Sequence, residues 1–215
     1  MTDFSDQERE NQRIQEEAAA QYFSGLRRDE FQIAFTEAEI QARIQELATA
    51  IDRDYRHKEL ILVAMLKGST HFLSDLSRAI GKAHIFDFIA VKERYQAIHP
   101  LQAHLELTKD LSLDIEGRDV LVLEEIVRTG YTTDFMIRHL EKKRPRSIKL
   151  AAFLCNPHQM LLDLPLRYVG FEVGFDPYVG YGLDYNEYGR SLPFIARLDP
   201  SIFKDVNLPN RRNRP

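Results

Sequence analysis

The chain has 215 residues, 44% of them hydrophobic and 29% charged, with a net charge of −4. This composition suits one compact domain with a sizeable core, and the acid excess gives no general electrostatic reason to bind nucleic acid. The single cysteine, Cys155, excludes an intrachain disulfide and a cysteine zinc cluster. No apolar run reaches the ~18 residues that a membrane span needs, and the N-terminus is acidic and polar, unlike a signal peptide. A cytoplasmic protein is therefore expected.

Residues 1–29 read as a helical extension, because Asp6 to Tyr22 is rich in Glu, Gln and Ala. Its apolar face (Ile14, Ala18, Tyr22) is weak, so the helix needs solvent or a partner rather than a core of its own. Residues 30–205 form the expected domain. Phe31–Phe35 alternates like a short strand. Thr36 and Glu39 make a capping-box pattern, and Ile40, Ile44, Leu47, Ala48 and Ile51 follow at helical spacing. Leu60 to Leu66 is a continuous apolar strand, buried on both faces. Lys67-Gly68-Ser69 then turns into a helix over Thr70 to Ile80, which places a lysine at the end of a buried strand, where it can meet an anion.

Ile85 to Val91 is the next strand, and residues 92–106 are polar and read as an irregular loop or a plain hairpin. Asp119 to Thr133 carries the densest chemistry. It opens as a buried strand, Val120 to Leu123, followed by two carboxylates, Glu124 and Glu125. The turn Arg128-Thr129-Gly130 then starts a helix near Thr132 or Thr133. Free backbone N–H groups and the positive end of the helix dipole favour an anion here. Thr129, Thr132 and Thr133 offer hydroxyl donors. The carboxylates lie at the carboxyl end of a strand, where open α/β sheets bind ligands. The stretch is neither a G-x-x-x-x-G-K loop nor a G-x-G-x-x-G fingerprint. A helix over Thr133–Lys142 is expected to turn Phe135, Met136, Ile137 and Leu140 to the sheet. A buried strand follows at Ser147–Leu154. Residues 206–215 form a basic tail with Arg211, Arg212 and Arg214, too few charges for strong nucleic-acid contact. There are no internal repeats and no sign of a second domain.

The central stretch, Val-Leu-Glu-Glu-Ile-Val-Arg-Thr-Gly-Tyr-Thr, resembles the signature by which type I phosphoribosyltransferases bind 5-phosphoribosyl 1-pyrophosphate (PRPP). Leu66-Lys67-Gly68-Ser69 resembles the pyrophosphate loop of the hypoxanthine-guanine phosphoribosyltransferases, in which the Leu-Lys bond can be cis. Further segments match that family: Asp75-Leu76-Ser77-Arg78, Lys109 to Gly117, Tyr168 to Val173, Val179 to Glu187 and Ser191 to Ile195. The likeness spans roughly residues 30–200. It implies the type I phosphoribosyltransferase fold, a mostly parallel twisted sheet flanked by helices with a small hood built from the N- and C-terminal segments.

The resemblance also implies roles. Glu124, Glu125, Thr129, Gly130, Tyr131, Thr132 and Thr133 stand where the family holds PRPP. Lys67, Gly68 and Arg190 stand where it holds pyrophosphate. Asp184, with Glu124 and Glu125, stands where it meets Mg2+. Arg94 and Tyr95 fall on a mobile lid that excludes water, with Arg94 in place of a serine. Asn156, Pro177, Tyr178 and Val179 fall on the base pocket. Asn156 replaces a lysine that hydrogen-bonds the purine 6-oxo group, and Pro177 takes the place of a stacking aromatic ring, with Tyr178 adjacent. Arg128 replaces the Asp that serves as general base, and Glu125 is one methylene longer than the family's Asp. A displacement of ~1 Å can cost ~100-fold in rate.

An arginine cannot accept the purine N7 proton at physiological pH. Loss of a general base typically costs ~10²–10⁴-fold. The departures gather on the nucleoside half of the expected site, while the pyrophosphate half keeps its residues. Two functions therefore stand side by side. One is a homologue impaired or inactive toward purines, holding PRPP, a purine nucleotide or another phosphate ligand and acting through an unidentified protein partner. The other is an active Mg2+-dependent phosphoribosyltransferase of purine salvage, or one with another acceptor. The resemblance further implies a homo-oligomer, dimer or tetramer.

Overall fold

The computed structural model describes residues 31–96 and 99–199, with Arg9, Arg13 and Glu17; for residues 93–104 only the backbone is described. The expected N-terminal helix thus lies outside the described residues apart from these three, which are helical. The basic tail lies outside them entirely.

The chain divides into two compact units, one of residues 38–175 and the other of residues 1–37 with 176–215. The larger unit is built on a six-stranded sheet. Its strands are β2 (Leu60–Met65), β3 (His84–Gln96), β4 (His99–Lys109), β5 (Asp119–Val127), β6 (Ser147–Cys155) and β7 (Leu166–Glu172). Their spatial order is β4-β3-β2-β5-β6-β7. Only the β3–β4 pair is antiparallel; β2–β3, β2–β5, β5–β6 and β6–β7 are parallel. The helices are α1 (Glu37–Asp54), α2 (Thr70–Ala79) and α3 (Tyr131–Glu141).

The strands sit where the apolar runs require. Leu60, Ile61, Leu62, Val63 and Ala64 are all buried, as are Val120 to Leu123 and Leu150 to Leu154. Continuous apolar runs of this kind belong to parallel strands covered on both faces, and each buried Leu, Ile or Val contributes about 1.5–3 kcal/mol. Helix α1 buries the five residues expected from its spacing, Ile40, Ile44, Leu47, Ala48 and Ile51. Its Arg43 donates from Nε to the Gly170 carbonyl at 2.7 Å and from Nη2 to the Val169 carbonyl at 2.8 Å, tying the helix to the edge strand β7. Helix α3 buries Thr133, Met136, Ile137 and Leu140, while Phe135 is half-buried.

Of the two readings left open for residues 92–106, the structure has the hairpin: most of the stretch is antiparallel, with Arg94 opposite His104 and Tyr95 opposite Ala103; residues 97 and 98 are not described. Cross-strand pairing with β4 supplies backbone partners that local polarity alone does not reveal. One expectation is corrected. Strand β5 runs on to Val127, so Glu124 and Glu125 lie on it rather than after it. Its partner β6 holds it there, with Glu124 opposite Ala152 and Val127 opposite Cys155.

In the sheet order, β2 has β3 on one side and β5 on the other. This is a topological switch point, the position at which open α/β sheets form a ligand crevice beyond the carboxyl ends of their strands. The loops leaving β2 and β5 are the two that the sequence singles out.

In the smaller unit, β9 (Ile195–Leu198) pairs antiparallel with β1 (Phe31–Phe35) and with β8 (Tyr178–Val179). Phe31, Val179, Leu192, Phe194, Ala196 and Leu198 make its core. Gly180 has φ +102°, and a Cβ there would meet the Phe194 carbonyl oxygen at 2.0 Å, so only glycine fits.

Candidate functional site

Strand β2 delivers its chain into a tight loop. The Leu66–Lys67 peptide bond is cis. Ser69 is fully buried and its Oγ donates to the Met65 carbonyl at 2.5 Å; Thr70 Oγ1 donates to the Lys67 carbonyl at 2.6 Å. The lysine side chain is exposed. Helix α2 starts at Thr70 with no acidic residue in its first turn, so the positive end of its dipole is not neutralised by its own side chains.

Strand β5 delivers the acidic pair beside this loop. Ala64 lies opposite Leu123, so two residues further along Leu66 comes level with Glu125. A Cβ on Gly68 would lie 1.8 Å from Glu125 Cδ and 1.9–2.0 Å from its two carboxylate oxygens. The Glu125 carboxylate thus rests over the Gly68 backbone. Glu124 is only 1% exposed. Thr133 Oγ1 donates to its Oε1 at 3.1 Å, and Oε2 is buried with no partner in the protein. Burial, and then the neighbouring Glu125 charge, push the Glu124 carboxyl well above its ordinary range, against the Thr133 hydrogen bond.

Gly130 adopts the left-handed conformation, φ +88°, and starts α3 at Tyr131. This is one residue earlier than the sequence suggests. Its Cα faces Leu164, whose Cδ1 would be 3.2 Å from an added Cβ. The Gly130 carbonyl accepts from Asp134 N–H at 2.8 Å, which opens the helical ladder, and the Thr129 carbonyl accepts from Leu161 N–H at 3.1 Å. The first-turn N–H groups of a helix have no partners within it, and Thr129 and Tyr131 are exposed beside them, with Thr132 half-buried. Arg128 is half-buried and immediately precedes this turn.

Asn156, directly after β6, is completely buried. Its Nδ2 donates to the Gly174 carbonyl at 2.8 Å, and its Oδ1 accepts from the N–H groups of His158 and Gln159 at 3.0 and 3.2 Å. The amide that was expected to face a purine is engaged with backbone on both sides.

Pro177, Tyr178, Val179, Asp184 and Arg190 belong to the smaller unit, and Arg94 and Tyr95, on β3, to the larger one. Arg190 is fixed by its Nη1 hydrogen bond to the Gly182 carbonyl at 2.7 Å and by an ion pair with Asp184 at 2.6 Å. Glu187 adds a contact at 3.5 Å, while Arg190 Nε is buried without a partner. Asp184 also accepts from Glu187 N–H at 2.8 Å. Pro177 and Tyr178 are half-buried and Val179 is buried. The Pro177 carbonyl accepts from Leu198 N–H at 2.9 Å. The structure therefore brings Lys67, Gly68, Glu124, Glu125 and Thr133 together in one unit, and Asp184 and Arg190 in the other.

The phosphoribosyl transferase domain family matches residues 35–186. The hypoxanthine-guanine phosphoribosyltransferase of Mycobacterium bovis is 38% identical over 178 residues, covering 80% of this chain and 88% of that protein. That of Staphylococcus aureus strain Mu50 is 34% identical over 174 residues, covering 81% and 97%. The chain belongs to the hypoxanthine-guanine phosphoribosyltransferase family. A crystal structure of the Staphylococcus aureus hypoxanthine phosphoribosyltransferase superposes with a TM-score of 0.75 at 33% identity, covering 80% of this chain and 93% of that one. The family fold accounts for the mostly parallel sheet flanked by helices.

Sequence reasoning missed two features of this family member's site, the seat of Glu125 on Gly68 and the inward turn of Asn156. The first follows from the β2–β5 register, and no local pattern encodes it. The second had a weak signal, since Asn favours bonding to backbone two residues on.

No described helix is long and apolar enough to cross a membrane. Among the described residues there is no group of three or more His, Cys, Asp or Glu side chains able to hold a metal ion.

Proposed function

We propose that this protein is a divergent hypoxanthine-guanine phosphoribosyltransferase homologue that holds PRPP, pyrophosphate or a nucleotide phosphate and transfers phosphoribosyl to purines weakly or not at all. The observation that carries the reading is Asn156. Its side chain is fully buried, its carbonyl oxygen accepts from two backbone N–H groups and one of its two amide N–H donors goes to the Gly174 carbonyl, so a single buried donor is left where the family likeness places a lysine that reads the purine 6-oxo group. Arg128 supports the same reading, because the family likeness places it at the position of the general base and a guanidinium does not serve as a base. The lost base alone accounts for ~10²–10⁴-fold.

The phosphate-holding half of the proposal rests on the α3 N-terminus with its exposed Thr129 and on the loop of Lys67, Gly68 and Ser69. Helix N-termini of this kind favour anions. Mg2+ fits the residues in part. Glu124 keeps a buried oxygen without a hydrogen-bond partner, a hard donor of the type Mg2+ prefers, with the other ligands coming from phosphate and water. When bound, Mg2+ would neutralise diphosphate charge. We assign the pyrophosphate roles of Lys67 and Arg190, the metal role of Asp184 and the lid role of Arg94 and Tyr95 on the family likeness.

A second reading is an active transferase. It is favoured by the Asp184–Arg190 pair, which keeps the leaving-group residues of the family in a fixed geometry. The substitution Arg128→Asp separates the two. It is expected to raise nucleotide formation from PRPP and hypoxanthine or guanine by at least ~10-fold. A variant slower than the parent would show that Arg128 itself serves turnover and would favour the active reading.

A further inference from the structure

The side chain of Glu125 ends in an unusual place. All three atoms of its carboxylate lie within 1.8–2.0 Å of the point where a Cβ on Gly68 would sit. The group therefore lies directly over the Gly68 α-carbon, in the loop between β2 and α2. It gets there because β2 and β5 pair in parallel with Ala64 opposite Leu123, which sets Glu125 level with the first residue of that loop. An aspartate at this position, one methylene shorter, would stop short of Gly68.

The seat is suited to an oxyanion. Lys67 is adjacent, α2 begins at Thr70, and the first turn of α2 carries no acid of its own. The N-terminal end of α2 follows this loop, and a helix end of this kind favours an anion. Gly68 is what admits it, since any larger residue would collide with the carboxylate. The Glu125 charge is also felt next door, where it adds to burial in raising Glu124.

We propose that Glu125 is an internal occupant of the diphosphate cradle: its carboxylate fills the Lys67-Gly68-Ser69 loop in the ligand-free protein and must swing away before a diphosphate can enter. This rests on the reading of that loop as a diphosphate site. The consequence is a protein that binds diphosphate more weakly than its donor groups permit. If the occupied state accounts for about nine-tenths of molecules, apparent affinity falls about tenfold, because the dissociation constant scales inversely with the competent fraction. Glu125 thereby sets a threshold concentration below which the cradle stays closed.

The test is calorimetric titration of inorganic pyrophosphate, in buffer with MgCl2, into the full chain and into Glu125→Asp, Glu125→Gln and Glu125→Ala. Thermal unfolding of each variant checks the fold, and the three substitutions together guard against one that fails to fold. The shortened and truncated variants are expected to bind pyrophosphate at least about tenfold more tightly, with Glu125→Gln between them and the parent because it keeps the bulk and loses the charge. Equal affinity in all four proteins would overturn the proposal and leave the diphosphate-site reading standing. Weaker binding by Glu125→Asp would overturn it too, since the carboxylate would then be helping the ligand. Binding by none of the four would overturn both, because opening the cradle should then have revealed it.

Discussion

At the residue scale, the molecule is decided by where a few polar side chains point. Asn156 is a keystone of the turn after β6, holding Gly174, His158 and Gln159 together. Asn156→Ala removes these side-chain hydrogen bonds, each worth about 0.5–1.5 kcal/mol net, while Gln159 N–H keeps its bond to the Asn156 carbonyl. Denaturant unfolding should show that loss, while pyrophosphate affinity stays unchanged. A large fall in affinity with no loss of stability would instead make Asn156 a ligand residue. Glu124 makes a prediction with a definite sign. Its folded-state pKa is raised, first by burial and then by Glu125, from an ordinary 4.5. Its contribution to stability is thus full below that value and is lost as pH rises through the folded value. Glu124→Gln removes the buried charge and should raise the thermal midpoint of the ligand-free protein more near pH 8 than near pH 5, with each 1 kcal/mol worth about 2–4 °C. An equal effect at both pH values would mean that the carboxyl ionises without hindrance.

At the element scale, the link from β4 to β5 is anchored by two carboxylates. Asp87 accepts from Ser112 N–H at 2.6 Å and from Leu113 N–H at 2.9 Å. Asp110 meets Lys143 at 2.8 Å and His139 at 3.0 Å on α3 and its end. Burial works to raise Asp110, but Lys143, His139 and the Leu111 N–H outweigh it and hold the carboxyl at about 2. A depressed carboxylate stabilises above its unfolded value and loses that contribution as pH falls toward the folded one. Acid titration of Asp110→Asn should show lower stability at neutral pH and a shallower decline between about pH 4 and about pH 2. An unchanged acid limb would deny Asp110 this role.

The elements themselves were largely legible. The apolar run from Leu60, the five-residue stripe of α1 and the strand at Ser147 could be read because burial on one or both faces imposes a period on the sequence. The end of β5 could not, and residues 92–106 could be read only as a loop or a hairpin, because tertiary pairing carries polar residues into strands there. The site was legible in its residue types but not in its contacts. Glu125 reaches Gly68 only through the register of two strands far apart in sequence.

At the scale of the whole molecule, Lys67, Glu124 and Thr133 sit at the switch point of the six-stranded sheet, and Asp184 with Arg190 forms an ion pair in the three-stranded unit. The changed groups, Arg128 and Asn156, are those that the family likeness assigns to the purine. Pyrophosphate with MgCl2 is accordingly expected to stabilise the protein. Saturation at 100 times the dissociation constant is worth about 2.7 kcal/mol, which differential scanning fluorimetry would register; no shift at any concentration would speak against the retained cradle.

The most direct measurement is nucleotide formation by the unmodified protein from PRPP and Mg2+ with hypoxanthine, guanine and xanthine in turn. The proposed replacement of the general base by Arg128 predicts rates at least ~10²-fold below those of ordinary enzymes. Turnover within the usual ~1–10³ per second would contradict the account and require another residue to take the purine proton.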